Sequence, residues 1–274
     1  MQSAIYDSRN PQDGVLGSLK ILFARRRLVL SLTRLDVLNR YKKSVLGVFW
    51  SFINPLLISS VIYFVFGRIF NNYMPETRGY ASWVLSGVLL QGLLLSGITV
   101  SSSALQTNMS LISRNRIQPI IISFSSSLSH VTHFSIGILS LAPLALLTNQ
   151  TLSLRIFLLP IFLLLVSFWL TGLGLLLVGW FMRFDDAAYL FNASMMVISY
   201  LSPFLYPLAI LGDRVREFVE LNPITSWIVT FRWLVYEKQT VEIFNIAVVL
   251  GSSLLTFVAG VLWLRNRWND YVML

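Results

Sequence analysis

Apolar residues along this chain fall into long, nearly continuous runs, the pattern of segments that cross a membrane as helices. Crossing takes about 20 mainly apolar residues, because the hydrocarbon layer is about 30 Å thick and a helix rises about 1.5 Å per residue. Such runs extend from Val45 to Gly67, Ala81 to Leu105, Ile120 to Leu147, Ile156 to Met182, Ala187 to Leu211 and Ile243 to Leu264. They predict an all-α integral membrane protein with about six transmembrane helices. The third run is the least uniform: Ser123, Ser125, Ser126, Ser127, Ser129, His130, Thr132 and His133 crowd its first half, and it is continuously apolar only from Phe134.

Ahead of the first run, Leu28, Leu32 and Leu35 fall on one helical side and Thr33, Arg34 and Arg40 on the other, with Leu30 and Val37 disturbing the separation. This predicts an amphipathic helix at the membrane interface, its basic side chains snorkelling to headgroups. Residues 1 to about 18, rich in Gly, Pro, Ser, Asn and Asp, read as a loose tail. The division is residues 1–44 for tail and interfacial helix, and 45–274 for the six-span domain. No cleavable signal peptide is expected, since the short apolar pieces Ile21 to Ala24 and Leu28 to Leu30 are split by three arginines.

Composition narrows the class. Of 274 residues, 55% are hydrophobic and only 12% charged, half the roughly 25% of an ordinary soluble domain, which excludes a soluble enzyme. With no cysteine there is no disulfide, thiolate metal site or cysteine nucleophile. Nine basic residues precede the first run, and six crossings bring Arg114, Arg116, Arg183, Arg265 and Arg267 to the same side, 14 of the 21 in all. The positive-inside rule then places both termini in the cytoplasm, for a multi-pass protein of the cytoplasmic (inner) membrane. Topology accounts for most of the net charge of +9, so attraction to anionic lipid headgroups is expected and nucleic-acid binding is not.

Within the stated limits no run contains Asp, Glu, Lys or Arg, so the spans offer no carboxylate relay of the kind ion-coupled transporters use. His130 and His133, spaced i to i+3, read as hydrogen-bonded packing or interfacial residues; two histidines without a third ligand make a poor metal site, and no metal is expected. No G-x-x-x-x-G-K-[ST] loop is present, so energy for active transport must come from another subunit. Pro55 predicts a kink near Asn54. Gly87, Gly92 and Gly97, and Gly172, Gly174 and Gly179, predict close helix contacts.

Several strings then occur in order: RLDVLNRYKKSVLGVFWSFINPLL from Arg34 to Leu57, SLISRNRIQP after the second run, RFDDA after the fourth, and SPFLYPLAIL followed by ELNPITSWIVTFRWLVY. From about Arg34 to Tyr236 the chain resembles the permease subunits of type 2 ABC exporters, particularly the branch that exports lipid-linked polysaccharides such as O-antigen, capsule and teichoic acid. The resemblance implies a homodimer bound to two copies of an ATP-binding subunit, which carries the ATP and magnesium; this chain needs no cofactor and has no catalytic residue. It also implies a coupling helix within Asn108 to Pro119, with Asn108, Leu111, Ile112, Arg114 and Arg116 as candidate contacts. That loop's own mixture of apolar and basic groups suits a small interface.

The interfacial helix contributes Arg34, Arg40, Tyr41, Lys42 and Lys43. Between the fifth and sixth runs, charged residues mixed with Trp227, Trp233 and Tyr236 predict short helices half-sunk in the outer interface. The resemblance makes them re-entrant helices at a channel exit, with Asn222–Pro223 as the break between them. Trp50, Tyr200, Phe204, Tyr206, Trp227 and Trp233 are candidate channel or exit aromatics, because ring faces can pack against the apolar faces of sugars.

The function implied is ATP-driven export of a lipid-linked polysaccharide. Alternatives are a type 2 ABC exporter of a drug or lipid, a secondary transporter, and a membrane enzyme acting on polyprenyl-linked sugar. The last would need acid–base groups, for which Asp185 and Asp186 are the one adjacent acidic pair; capping or a loop role is the simpler reading of that pair.

Overall fold

Long apolar runs satisfy their backbone groups within a bilayer only as helices or closed barrels, and this chain takes the helical route. The computed structural model describes residues 14–42, 44–70, 79–115, 117–148 and 150–272. In chain order it has α1 (Val15–Ala24), α2 (Arg26–Tyr41), α3 (Trp50–Phe70), α4 (Tyr80–Thr107), α5 (Met109–Asn115), α6 (Pro119–Ile138) and α7 (Leu141–Leu147). There follow α8 (Leu159–Arg183), α9 (Ala187–Tyr200), α10 (Asp213–Glu220), α11 (Pro223–Val235) and α12 (Ile243–Val272). Short 3-10 turns precede α3 and α8 and follow α9. Among the described residues the extended pairing is one isolated bridge, Leu152 with Tyr236.

Among the described residues, five segments are long and apolar enough to cross a membrane: Gly47–Phe70, Tyr80–Thr107, Pro119–Leu147, Leu154–Arg183 and Ile243–Trp268. The fifth expected run behaves differently. Its helix stops at Tyr200, since Pro203 has no N–H to donate and its ring would clash with the carbonyl of Ser199. The unwound residues beyond nevertheless keep alongside α4. Asn192 lies beside Thr99 of α4, and Phe204 lies against Gly87 of the same helix. Between those two contacts the chain climbs past 12 residues of α4, about 18 Å. Pro143 likewise interrupts the third run, ending α6 at Ile138 before α7 begins.

Among the described residues three apolar clusters form the interior, the smallest being Tyr80, Trp83 and Val84 at the start of α4. The largest joins α4, α6, α8 and α11 around Leu90, Phe134, Phe162, Trp169, Trp227 and Phe231. The second ties Leu22 of α1, Val29 of α2 and Ile112 of α5 to the near ends of α4, α6, α8 and α12. This second cluster marks the basic end of the bundle, where Lys20, Arg25, Arg26, Arg27, Arg34, Arg114, Arg265 and Arg267 lie. Helix α1 begins at Val15, inside the stretch expected to be a loose tail, and buries Ser18 and Leu22; the earlier part of that stretch lies outside the described residues.

Helices α8 and α12 meet backbone to backbone. A Cβ on Gly172 would sit 2.3 Å from the Thr256 carbonyl carbon, and one on Gly260 would sit 2.4 Å from the Gly172 oxygen. The serines of α6 are likewise packing groups: Ser127 Oγ lies 2.6 Å from Ser101 Oγ of α4 and accepts from Thr171 Oγ1 of α8 at 3.0 Å. Small hydroxyl residues let three helices approach while their polar atoms satisfy one another.

Candidate functional site

Three groups of polar residues stand out from this apolar frame. The first lies where α2 runs alongside α6. Val29 and Thr33 form the buried face of α2, and Thr33 Oγ1 donates to the Ser125 carbonyl at 3.3 Å. The buried line of α2 thus falls on Val29 and Thr33, with the expected Leu28 and Leu32 half-buried beside it and packed against the second cluster, while Leu35 is 54% exposed. The reason is the serine-rich face of α6, which accepts a threonine more closely than a leucine.

Farther along the same contact, Arg40 Nη2 lies 3.3 Å from His130 Nδ1, whose Nε2 lies 2.7 Å from Ser96 Oγ on α4. Tyr41 OH bonds to His133 Nδ1 and lies 2.6 Å from Ser51 Oγ at the start of α3. Ser51 Oγ is itself 3.2 Å from His133 Nδ1. The two histidines therefore connect α2 to α3, α4 and α6. Burial raises the pKa of Asp36, on the same helix, above its ordinary value, while Arg40 and a bond to Ser126 pull it back. Arg34 is exposed, Lys42 ends the helix, and Lys43 lies outside the described residues. Helix α3 runs on through Pro55; the Ser51 carbonyl, which Pro55 leaves without its helical donor, faces Gly137 of α6.

Helix α5 forms the expected short helix between the second and third spans. Asn108 caps α4, its Nδ2 donating to the Ala104 carbonyl at 2.9 Å, and Arg114 is exposed. Ile112 is different from expectation: it is 2% exposed and fills the second cluster, with Leu111 packed against it. Ile112 therefore anchors α5 to the bundle and offers no surface to another protein. Arg116 lies outside the described residues.

The second group is a polar stripe on the outer side of α4, comprising Gln91, Ser96, Thr99, Ser103, Gln106 and Thr107, each exposed or half-buried. At about 100° per residue, Ser96, Thr99, Ser103, Gln106 and Thr107 fall within about 100° of arc on one helix face, and Gln91 lies about 60° beyond its edge. Asn192 of α9 borders the stripe and accepts from Thr99 Oγ1 at 2.9 Å. A cavity of about 310 Å³ opens here, lined by Gln91, Ser96, Asn192, Met196, Tyr200 and Phe204 among others.

The third group surrounds Arg232, which is 3% exposed. Its Nη1 donates to the Pro203 carbonyl at 2.8 Å, and its Nη2 donates to the carbonyls of Phe204 at 3.1 Å and Trp83 at 3.4 Å. The guanidinium carbon sits 3.3 Å from the centroid of the Trp83 ring, close enough for cation–π attraction. Tyr80 OH donates to the Leu205 carbonyl and Tyr236 OH to the Ser82 carbonyl, both at 2.6 Å. The carbonyls freed where α9 unwinds thus find donors in α4 and α11. Gly87 permits the approach: a Cβ there would meet the Phe204 oxygen at 2.5 Å. The sequence placed the stretch containing Arg232 in short helices half-sunk in the outer interface and did not single this residue out; its signal was one cation inside the otherwise apolar string TSWIVTFRWLVY.

Helices α10 and α11 stand where short helices were expected, and they part at Asn222–Pro223. Asn222 Oδ1 accepts from the Ile224 N–H at 3.0 Å and its Nδ2 donates to Ser202 Oγ at 2.9 Å. Of the six aromatics, Tyr200 and Phe204 border the α4–α9 cavity, and Tyr206 OH donates to the Tyr200 carbonyl at 3.3 Å. Trp50 is 49% exposed, and Trp233 carries the Arg155 guanidinium 4.9 Å from its ring centroid. Trp227 is corrected: fully buried between Phe162 and Trp169, it has no face open to a passing sugar. Asp185 and Asp186 are exposed at the start of α9, and Asp186 makes no side-chain cap bond.

Residues 27–236 match the ABC-2 type transporter family. The chain belongs to this family. The matched stretch begins in α2 and ends just after α11, so it takes in all three polar groups. Two O-antigen export system permease proteins RfbA are similar along most of the chain. One, from Klebsiella pneumoniae, is 23% identical over 234 residues, covering 85% of this chain and 89% of its own length. The other, from Myxococcus xanthus, is 22% identical over 220 residues, covering 80% and 84%. As an ABC-2 transporter, this chain is the multi-pass transport component of its system.

Proposed function

We propose that this ABC-2 transporter chain is the permease through which a lipid-linked polysaccharide, of the O-antigen, capsule or teichoic acid type, leaves the cell. Two copies form the pathway in the cytoplasmic membrane with both termini inside. Two copies of an ATP-binding subunit supply ATP, magnesium and the energy.

The observation that carries this reading is the stripe from Gln91 to Thr107 with Asn192 beside it. The hydroxyls of Ser96, Thr99, Ser103 and Thr107 donate to carbonyls of their own helix, but a side-chain amide such as that of Gln91 or Asn192, turned into hydrocarbon without a partner, would cost roughly 2 to 7 kcal/mol. A face of this kind at membrane depth suits an aqueous path closed off by the second copy. Hydroxyls and amides, with Tyr200 and Phe204 at the upper end, can exchange hydrogen bonds with a moving glycan without holding it. The O-antigen export permeases similar to the chain point to the same cargo class.

Movement enters at the basic end. Closure of the ATP-binding pair would press on α5, whose Ile112 and Leu111 transmit displacement to the ends of α4 and α6. Through Arg40–His130–Ser96 and Tyr41–His133–Ser51, α2 would shift α3 and α4 with α6, altering how the two copies meet. Each permease walls the path and performs no covalent chemistry.

The test is purification of the tagged chain from its host in mild detergent, with mass spectrometry of what accompanies it. Recovery of a subunit with a G-x-x-x-x-G-K-[ST] loop in equal amount is the expected result. Recovery of the chain alone in several detergents, without ATPase activity, overturns the proposal.

A further inference from the structure

At the end of the bundle opposite the basic helices, a second cavity of about 490 Å³ opens beneath α10 and α11. It lies apart from the α4–α9 stripe, and Trp83, Pro203 and Arg232 of the clamp form its floor. One wall is the unwound segment after α9, held by Arg232 through the Pro203 and Phe204 carbonyls. The facing wall is the turn from Lys238 to Thr240 and the first residues of α12. That turn is itself fixed, since Arg155 Nη1 donates to the Gln239 carbonyl at 3.2 Å.

The chemistry of the lining is specific. Charged groups of both signs line it: Glu220, whose Oε1 accepts from Arg216 Nε at 2.7 Å, with Glu242, Lys238 and Arg232. Neither sign dominates, which disfavours a simple ion. Planar amides stand among them, and Asn245 is oriented by Ser226 Oγ, which donates to its Oδ1 at 3.0 Å, so its two N–H donors are directed away from that bond. The Phe244 ring, 53% exposed, adds an apolar surface at the rim. Fixed donors and acceptors of both charge types beside a ring face complement a molecule with hydroxyls at its edge and C–H groups on its face. The volume falls within the roughly 300 to 1,000 Å³ of ligand pockets.

We propose that this cavity is a saccharide-binding site, which takes one or two sugar units of the polymer as it emerges, with Gln239 and Asn245 supplying hydrogen bonds and Phe244 the stacking surface. The proposal rests on the polysaccharide-export reading and adds to it a second, holding site beyond the pathway. Occupied, the site biases the polymer against sliding back between ATP cycles.

The test uses the full complex in its own host. A deletion strain is complemented with the wild-type gene, with the Gln239→Ala/Asn245→Ala pair, or with Thr240→Trp, which fills the exposed mouth. Surface polysaccharide is quantified, and each purified complex is titrated with the host's own surface polysaccharide freed of its lipid by mild acid. Expected are normal assembly of both variants, at least tenfold weaker polysaccharide binding, and a severalfold drop in surface polymer. Binding by both assembled variants within twofold of wild type, or no binding by wild type, overturns the site. Surface polymer that survives deletion overturns the export reading; polymer that is lost on deletion and fully restored by both variants overturns the site alone. Should the double variant fail to assemble, Thr240→Trp decides by the same criteria.

Discussion

The Arg232 guanidinium carbon lies 3.3 Å from the centroid of the Trp83 ring. A buried cation is costly to place in a membrane protein, and this one is held by the ring and by three carbonyls in place of a carboxylate. Replacing it would leave those carbonyls without their donor at about 1 to 3 kcal/mol each. Arg232→Met should therefore lower the melting temperature of the purified chain by several degrees. Arg232→Lys should recover little of it, because an ammonium cannot span three acceptors in a plane. Melting in detergent followed by tryptophan fluorescence measures both.

Gly172 and Gly251 make a paired prediction. A Cβ on Gly172 would collide with the α12 backbone at Thr256 and Phe257, whereas one on Gly251 would meet nothing within 4 Å. Gly172→Ala must separate α8 from α12 and should cost yield and thermal stability. Gly251→Ala should be neutral or slightly stabilising, since alanine favours the helix by about 1 kcal/mol. Membrane expression and melting of the two variants side by side check the contrast.

Two aromatics of the candidate set should behave oppositely. Trp227 is enclosed by Phe162 and Trp169, so Trp227→Ala should destabilise the fold by about 3 to 5 kcal/mol. Tyr200 is 56% exposed beside the α4–α9 cavity, so Tyr200→Ala should leave stability nearly unchanged and alter export. Melting curves and surface polysaccharide from the same strains separate the roles.

Tyr41 joins α2 to both His133 and Ser51. Removing only its hydroxyl, as Tyr41→Phe, should leave the complex assembled and its ATPase active while export falls severalfold. In the neighbouring branch, a double-mutant cycle of Arg40→Ala and His130→Ala should give a coupling energy of about 0.5 to 3 kcal/mol. Additive effects would show that the two side chains act independently.

Much of this fold was readable from hydropathy, because a bilayer demands a length of apolar helix that few other contexts require. Five of the six expected runs are such helices. The fifth misled as to continuity: its apolar length from Ala187 to Leu211 was visible, but the helix ends at Tyr200 because Pro203 cannot extend it. The break at Asn222–Pro223 was legible for the same reason, since proline acts locally. Contacts between distant residues were not. Nothing local distinguishes Arg232 in a buried clamp from Arg232 in a wet loop, and the pairing of His130 with Ser96 depends on a register between α4 and α6 that hydropathy does not encode. On α2, Val29 and Thr33 lie deepest and Leu28 and Leu32 flank them, because small serines on its neighbour set the closest approach.

The most direct test of the central claim is the fate of polymer in a host lacking this chain. Surface polysaccharide should disappear and its lipid-linked form accumulate inside, both visible after staining gels of surface and internal fractions, and restoring the gene should reverse both. Surface polysaccharide at its normal level in the deletion strain, with no internal accumulation, would contradict the account.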